Sequence, residues 1–368
     1  MAYDNKNYND FFDAYSPDRQ RETDEKRSDK QKKRKKRRKI KFLLSLIALL
    51  LIIILIIVGV VKCVDNKKKP TSNNDVSSIV NPNIGEHLPT GVVSNYAFIT
   101  SDTVTVGGAI ESNNAVLIDA SNNIVLAMKR PDEIIYPASM TKVMTLLVAA
   151  ENVNDISATF KMTSTIIDPL YREGATLAGF GPGEIVTIKD MFYGAILESG
   201  AEATVGLAEH ISGSEEEFVK LMNKKAKDLG LKNTNFCNVS GLHDKNHYTT
   251  CNDMAVILTA AMNNDFCHEV LTTEYYTVPK NEHHDELKFH STMLSRMYGT
   301  EPEVATILGG KTGYTVSSGN CLACFGVTDD NRKIVCITAD AAGKYKPIYD
   351  SIELFKNYTY PDKKENSK

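Results

Sequence analysis

No residue between Phe42 and Val61 carries a charge, although charged residues make up 24% of the chain. At about 1.5 Å per residue, that run reaches across the roughly 30 Å of a bilayer's hydrocarbon core. It has no Ala-x-Ala exit and begins far from Met1, which excludes a cleaved secretory signal and leaves a retained membrane anchor. No segment repeats at a fixed period, so repeat architectures are excluded. Cys321 and Cys324 form a Cys-x-x-Cys, the spacing of zinc or redox sites, but no second such pair and no nearby pair of histidines completes a zinc site, and buried structural thiols are the better reading.

What is present is divided by charge. Residues 1–41 hold 15 Lys and Arg against 8 Asp and Glu, and the rest of the chain holds 28 against 38. A basic head on an acidic body points to two compartments. From Lys32 to Lys41 only Ile40 is neither Lys nor Arg, which keeps the N-terminus inside and sends the body outside. Because it abuts the apolar run, the basic block reads as a topology signal, and no nucleic-acid partner is expected. Residues 1–31, rich in Asp, Asn, Lys and Tyr without apolar period, read as disordered. The expected order is a basic cytoplasmic tail (1–41), a transmembrane helix (42–61), an extracellular linker rich in Asn, Ser, Pro and Gly (62–104), a folded domain (105–361) and a polar tail (362–368). Cys237, Cys251, Cys267, Cys321, Cys324 and Cys336 all fall in the outer part, where disulfides form, and the sequence leaves their pairing open. If "NCLACFGV" is a strand, Cys321 and Cys324 face opposite sides of it as buried thiols.

Within the domain, two short apolar runs flank "DASNN" between Ala115 and Lys129, the pattern of a β-hairpin. "MTKVMTLLVAAE" predicts a helix, and Pro137 just before it suits a first turn. "VTIKDMFYGAILESGAEATVGLAEHI" and "SEEEFVKLMNKKAKDLGL" read as helical, with Ser214 ahead of Glu215, Glu216 and Glu217 as an N-cap. "TTCNDMAVILTAAMNN" predicts another helix, "GNCLACFGVT" and "RKIVCITAD" predict strands, and a closing helix runs from about Tyr345 to Lys356. Strands at both ends with helices between them predict an α+β domain whose sheet is built from the two termini.

Chemistry enters at "YPASMTKVMTLLVAA". Ser139 and Lys142 stand three residues apart at the head of a buried run, and so share a helical face. A serine hydroxyl is a weak nucleophile without a base within hydrogen-bond reach, and a desolvated lysine can be that base. A helix cap and a snorkelling lysine would give the same spacing. The second signal is "GGKTGYT", Gly309 to Thr315, at the entry to a strand. Lys311 and Thr312 offer a cation and a hydroxyl, and a strand edge can hold an extended peptide. Ser-x-x-K followed by Lys-Thr-Gly is a serine acyl-transfer signature.

At these motifs the chain resembles the D-alanyl-D-alanine carboxypeptidases among the low-molecular-mass penicillin-binding proteins. The resemblance covers roughly Ala115 to Tyr360. It rests on "PASMTK", "FGPGEIVTIKDMFYGAILESGAEA", "AEHISGSEEEFVKLMNKKAKDLGLKNTNFCNVSGLHDKNHYTT" and "GGKTGYT". It implies a DD-peptidase/β-lactamase-like fold: an antiparallel sheet of N- and C-terminal strands with a helical subdomain. It implies that Ser139 attacks the penultimate D-alanine of a peptidoglycan stem, that Lys142 takes its proton, and that Ser199 shuttles the proton to the leaving amine. The backbone N–H groups of Ser139 and Tyr314 would hold the oxyanion. Lys311, Thr312, Gly313 and Tyr314 would bind substrate, with no metal and no cofactor. Penicillins would acylate the same serine.

The family's middle motif is Ser-x-Asn, and here it reads Ser199-Gly200-Ala201. This departure sustains a rival reading, a weakly active or non-catalytic module that holds wall peptides or β-lactams. A downstream arginine often binds the carboxylate in the family, but Arg332 is the one arginine after the Lys-Thr-Gly, which leaves Lys344 or Lys346 for that role. "YREGATLAGFGPGE" lacks the Glu-x-x-Leu-Asn of class A β-lactamases, which argues against that class. "NEHHDE" (Asn281 to Glu286) reads as a solvated loop, and the family match makes His243 and His247 structural.

Overall fold

The computed structural model describes residues 95–297, 299 and 302–360. The tail, the Phe42–Val61 run, most of the segment read as linker and the polar tail lie outside the described residues. Among the described residues no helix is long and apolar enough to cross a membrane.

The sheet joins the two ends of the domain. Strands β1 (Phe98–Thr105), β2 (Asn114–Asp119) and β3 (Ile124–Lys129) come from one end, and β8 (Ala305–Thr315), β9 (Gly319–Thr328) and β10 (Lys333–Ala341) from the other. Their order is β1-β3-β2-β10-β9-β8. β2 pairs antiparallel with β10, Cys336 opposite Leu117, so the first hairpin closes on the last strand. The predicted hairpin forms because Asp119 turns the chain: its Oδ1 accepts the N–H groups of Ser121 and Asn122, each at 3.0 Å.

Alternation along these strands gives two cores. Val116, Ile118, Cys321, Ala323, Phe325, Val335 and Ile337 face one way, toward the helices. Ala115, Leu117, Leu322, Cys324, Ile334 and Cys336 face the other, against Ile348, Leu354 and Phe355 of the closing helix (Lys346–Tyr358). Cys321 and Cys324 therefore lie on opposite faces, as the strand reading requires. The pairing left open by the sequence resolves to none: all six cysteines of the domain are free. Even Cys324 and Cys336, opposite each other in β9 and β10, remain thiols, with Cys336 pushed up by burial.

Three helices carry the site: α1 (Thr141–Asn152), α3 (Ile188–Leu197) and α4 (Ala201–Ser212); α2 (Ser164–Arg172) precedes α3. The run predicted as one helix from Val186 to Ile211 is two. It breaks at Glu198–Gly200, where Ser199 takes a left-handed φ of 66°. The next helix, α5 (Glu215–Asp228), starts as read, with the Ser214 hydroxyl accepting from Glu217 N–H at 3.1 Å. Helices α6 (Cys251–Met262) and α7 (Asp265–Thr272), the hairpin β6 (Tyr275–Val278) with β7 (Leu287–His290), and the short α8 (Thr292–Met297) lead back to β8. Strands β4 (Thr159–Lys161) and β5 (Ile185–Thr187) form a small antiparallel pair, and β5 leads directly into α3. β1 falls largely within the segment read as linker. Its sequence, FITSDTVT, pairs only with β3, and in parallel, which corrects the expectation of a wholly antiparallel sheet; it lies mostly exposed, and such a polar edge strand has a linker's composition.

Candidate active site

Ser139 sits in a 3-10 turn, Ala138–Met140, that runs straight into α1. Ala138 is held at φ 46° although it is buried, a left-handed conformation that costs energy for alanine and persists because neighbours fix it. Two glycines press on that turn. A Cβ on Gly241 would stand 1.9 Å from Ala138 O, and one on Gly313 would stand 2.9 Å from Pro137 O. The Gly of the Lys-Thr-Gly motif is thus needed for contact between β8 and the serine turn.

Lys142, one turn on, is 3% exposed. Its Nζ donates to Ser139 Oγ at 3.2 Å and to Ser240 O at 2.5 Å. Burial pushes its pKa down to about 7, against a smaller opposing pull from the Glu202 charge. A large share of the amine is therefore neutral near pH 7 and able to accept a proton. Ser240 belongs to a tight turn shaped by Asn238, whose Oδ1 accepts from Gly241 N–H at 2.7 Å. The start of α1 has its own support, since Thr141 Oγ1 meets His247 Nε2 at 2.8 Å. His247 Nδ1 accepts from Cys237 N–H at 3.1 Å, and burial pushes the ring's pKa down to about 4, so this histidine is a neutral strut. His243 stacks edge-on against Tyr136.

A cleft of ≈ 300 Å³ brings together Ser139, Lys142, Ser199, Ala201, Ser240 and Tyr314, with Glu173, Gly174, Ala175 and Thr176 as one wall. Ser199, 9% exposed, occupies the break between α3 and α4. Lys311, Thr312 and Gly313 do not line this cleft. They lie on β8, at the edge of the sheet, opposite Ala323, Leu322 and Cys321 of β9. Lys311 is 1% exposed and donates to Thr312 O at 3.1 Å. Its pKa is held well below the ordinary lysine value by burial and by the charges of Lys142 and Arg296. Thr312 Oγ1 lies 3.2 Å from Thr292 Oγ1 of α8.

The cations considered for a carboxylate are engaged elsewhere. Arg332 binds Asp119, Asp330 and Thr359 O. Lys346 pairs with Glu111, and Lys344 lies over the Tyr345 ring. Arg296, half-buried on α8, is the arginine whose charge reaches Lys311. Sequence reasoning missed it because it searched downstream of the motif. It also missed Ser240, which acts through a backbone carbonyl and leaves no side-chain signature. "NEHHDE" is not simply solvated: His284 Nε2 lies 2.6 Å from the buried Glu184 Oε1, tying the tip of the β6–β7 hairpin to the "FGPGE" segment.

This fold is that of penicillin-binding proteins and DD-transpeptidases. The structure of penicillin binding protein 5 from Haemophilus influenzae superposes with a TM-score of 0.61 at 27% identity, covering 68% of this chain and 71% of that one. The Streptomyces DD-transpeptidase superposes with a TM-score of 0.61 at 23% identity over 68% of this chain and 97% of that one, a likeness of fold. The chain belongs to the D-alanyl-D-alanine carboxypeptidase family, whose model matches residues 100–342. It is 38% identical over 235 residues to the D-alanyl-D-alanine carboxypeptidase DacF of Bacillus subtilis, covering 62% of this chain. It is 31% identical over 245 residues to DacC of Escherichia coli, covering 65% of this chain. The match spans 57% of the first relative's length and 58% of the second's.

Proposed function

We propose that this chain is a serine D-alanyl-D-alanine carboxypeptidase that removes the terminal D-alanine from peptidoglycan stem peptides. The observation that carries this reading is the buried amine of Lys142, shifted to about 7 and 3.2 Å from the Ser139 hydroxyl in a solvent-open cleft. Neutral Lys142 takes the hydroxyl proton as Ser139 Oγ attacks the penultimate D-alanine carbonyl. The N–H groups of Ser139 and Tyr314 receive the oxyanion. Ser199, on the same cleft, passes the proton to the leaving amine, D-alanine departs, and water then hydrolyses the acyl-serine. The terminal carboxylate is drawn to the Lys311–Thr312 segment of β8. Penicillins acylate Ser139 in the same way. The uncharged Phe42–Val61 run and the basic block before it support a single-pass anchor, with the N-terminus in the cytoplasm and the domain on the wall side.

The test is release of D-alanine over time from a peptide ending in Lys-D-Ala-D-Ala. Steady release that penicillin blocks is expected; a folded protein that releases none belongs to the rival binding-module reading. Ala201 is the observation that favours the rival. Ser240 O, by holding Lys142 at 2.5 Å, supplies an anchor for the lysine that does not depend on an asparagine amide. Restoring the amide as Ala201→Asn is expected to raise the acylation rate about fivefold, the worth of one hydrogen bond of ~1 kcal/mol. Stopped-flow acylation by a chromogenic β-lactam measures this, and an unchanged rate would make Ala201 a tolerated variant.

A further inference from the structure

Glu202 directly follows the alanine that replaces the motif asparagine, and it is fully buried in the first turn of α4. Its Oε1 accepts backbone N–H groups from Ala178 at 2.6 Å, Gly179 at 2.9 Å and Phe180 at 3.4 Å. Its Oε2 is buried and has no hydrogen-bond partner. That oxygen lies under the Ser199 turn, 3.1 Å from where a Cβ on Gly200 would be. Ala201 N–H donates to Thr176 O at 2.8 Å, so residues 176–180 are stitched to residues 201–202 by four hydrogen bonds. Residues 173–176 of the same segment form the cleft wall.

A carboxylate this deeply buried, with one oxygen saturated and the other bare, is a costly way to fasten a loop. A neutral side chain with the same acceptor would fasten it equally well. The bare charge has another use. The groups facing Lys142 are Lys311 from β8, His247 from the segment before α6, Glu173 across the cleft and Glu202 from α4. His247 is neutral and Lys311 repels, and Glu202 is the carboxylate whose field acts on the Lys142 amine.

We propose that Glu202 is a positioning residue of the acyl-transfer centre, one that pins the 176–180 wall to the Ser199 turn and supplies the countercharge for Lys142. The inference rests on Lys142 being the base for Ser139. Burial pushes the Glu202 carboxyl up from its ordinary value, and the wall amides on Oε1 pull it back; when ionised it favours the charged form of Lys142, so removing it frees the neutral base at lower pH. In Glu202→Gln, which keeps an oxygen for the wall amides, the acid limb of the acylation profile is expected to move down by about half to one pH unit. In Glu202→Asp, which keeps the charge but shortens the reach, slower acylation with the wild-type midpoint is expected. The measurement is the rate of labelling of the full-length chain by a fluorescent penicillin between pH 5 and pH 10, with melting temperatures alongside. A purely structural Glu202 would lower the melting temperature of the Gln variant and leave its midpoint in place, which would overturn the proposal. A midpoint displaced in the Asp variant would assign the shift to wall geometry and overturn it equally, even if the Gln variant fails to fold. Wild-type chain that takes no label at all would instead count against the acyl-enzyme reading itself.

Discussion

Ser139→Ala is expected to abolish both D-alanine release and covalent penicillin labelling while the domain stays folded. Among the cleft hydroxyls, that of Ser139 is the one bonded to the Lys142 amine, at 3.2 Å. Ser199 and Ser240 share the cleft, but neither hydroxyl bonds the lysine; Ser240 reaches it through its carbonyl. Losing a nucleophile of this kind lowers turnover by a factor on the order of 10⁴ or more. The fold loses little, since Lys142 keeps its bond to Ser240 O and the serine side chain is only half-buried. A stability change within about 1 kcal/mol is expected. Gel fluorescence with a labelled penicillin, read beside a melting curve, checks both halves. Label retained by a folded variant would move the nucleophile to another cleft hydroxyl, and Ser199 would be examined first.

The elements that were legible in the sequence are those where local pattern and tertiary role agree. The 114–129 hairpin carries its own turn in Asp119, and α1 and α6 are long and apolar. Strands β9 and β10 are buried over nearly their whole length. Ser139, Lys142, Ser199 and Tyr314 were legible as motif residues, and the fold gathers them in one cleft. What stayed hidden depends on distance in the chain. β1 is a strand because β3 lies beside it, and its own residues are as polar as a linker's. The break at Ser199 lies inside a continuous helical pattern and exists because Ala201 N–H and Glu202 bind the 176–180 segment. Ser240 reaches the site from a turn that no periodicity marks.

Lys311→Met is expected to make the protein more stable and nearly inactive. The Lys311 amine is sealed in the sheet, with one hydrogen bond, to Thr312 O, and its charged form is disfavoured by burial and by Lys142 and Arg296, an effect that Glu198 offsets in part. Its native pKa lies well below the ordinary lysine value, so the unfolded chain binds this proton more tightly than the native one. Stability is therefore reduced at neutral pH, and it rises as pH climbs from the native value toward the unfolded value near 10.4. Methionine fills similar space and does not titrate. At pH 7 the variant is expected to melt about 3–8 °C higher, because folding no longer has to bury an amine that holds its proton more tightly in the unfolded chain. Its melting temperature is expected to climb less steeply toward alkaline pH than that of the wild type. A residual climb remains from Lys142, whose native value of about 7 carries the same sign. Activity moves the other way. A substrate carboxylate beside Lys311 favours the lysine's charged form and gains a desolvated partner, and losing that pairing costs about 100-fold or more in kcat/KM. Calorimetry across pH 6–10 with D-alanine release on the same samples decides the matter. A variant that melts lower would mean that the charge of Lys311 is compensated in the free enzyme. A variant that melts higher and still turns over would remove Lys311 from substrate binding.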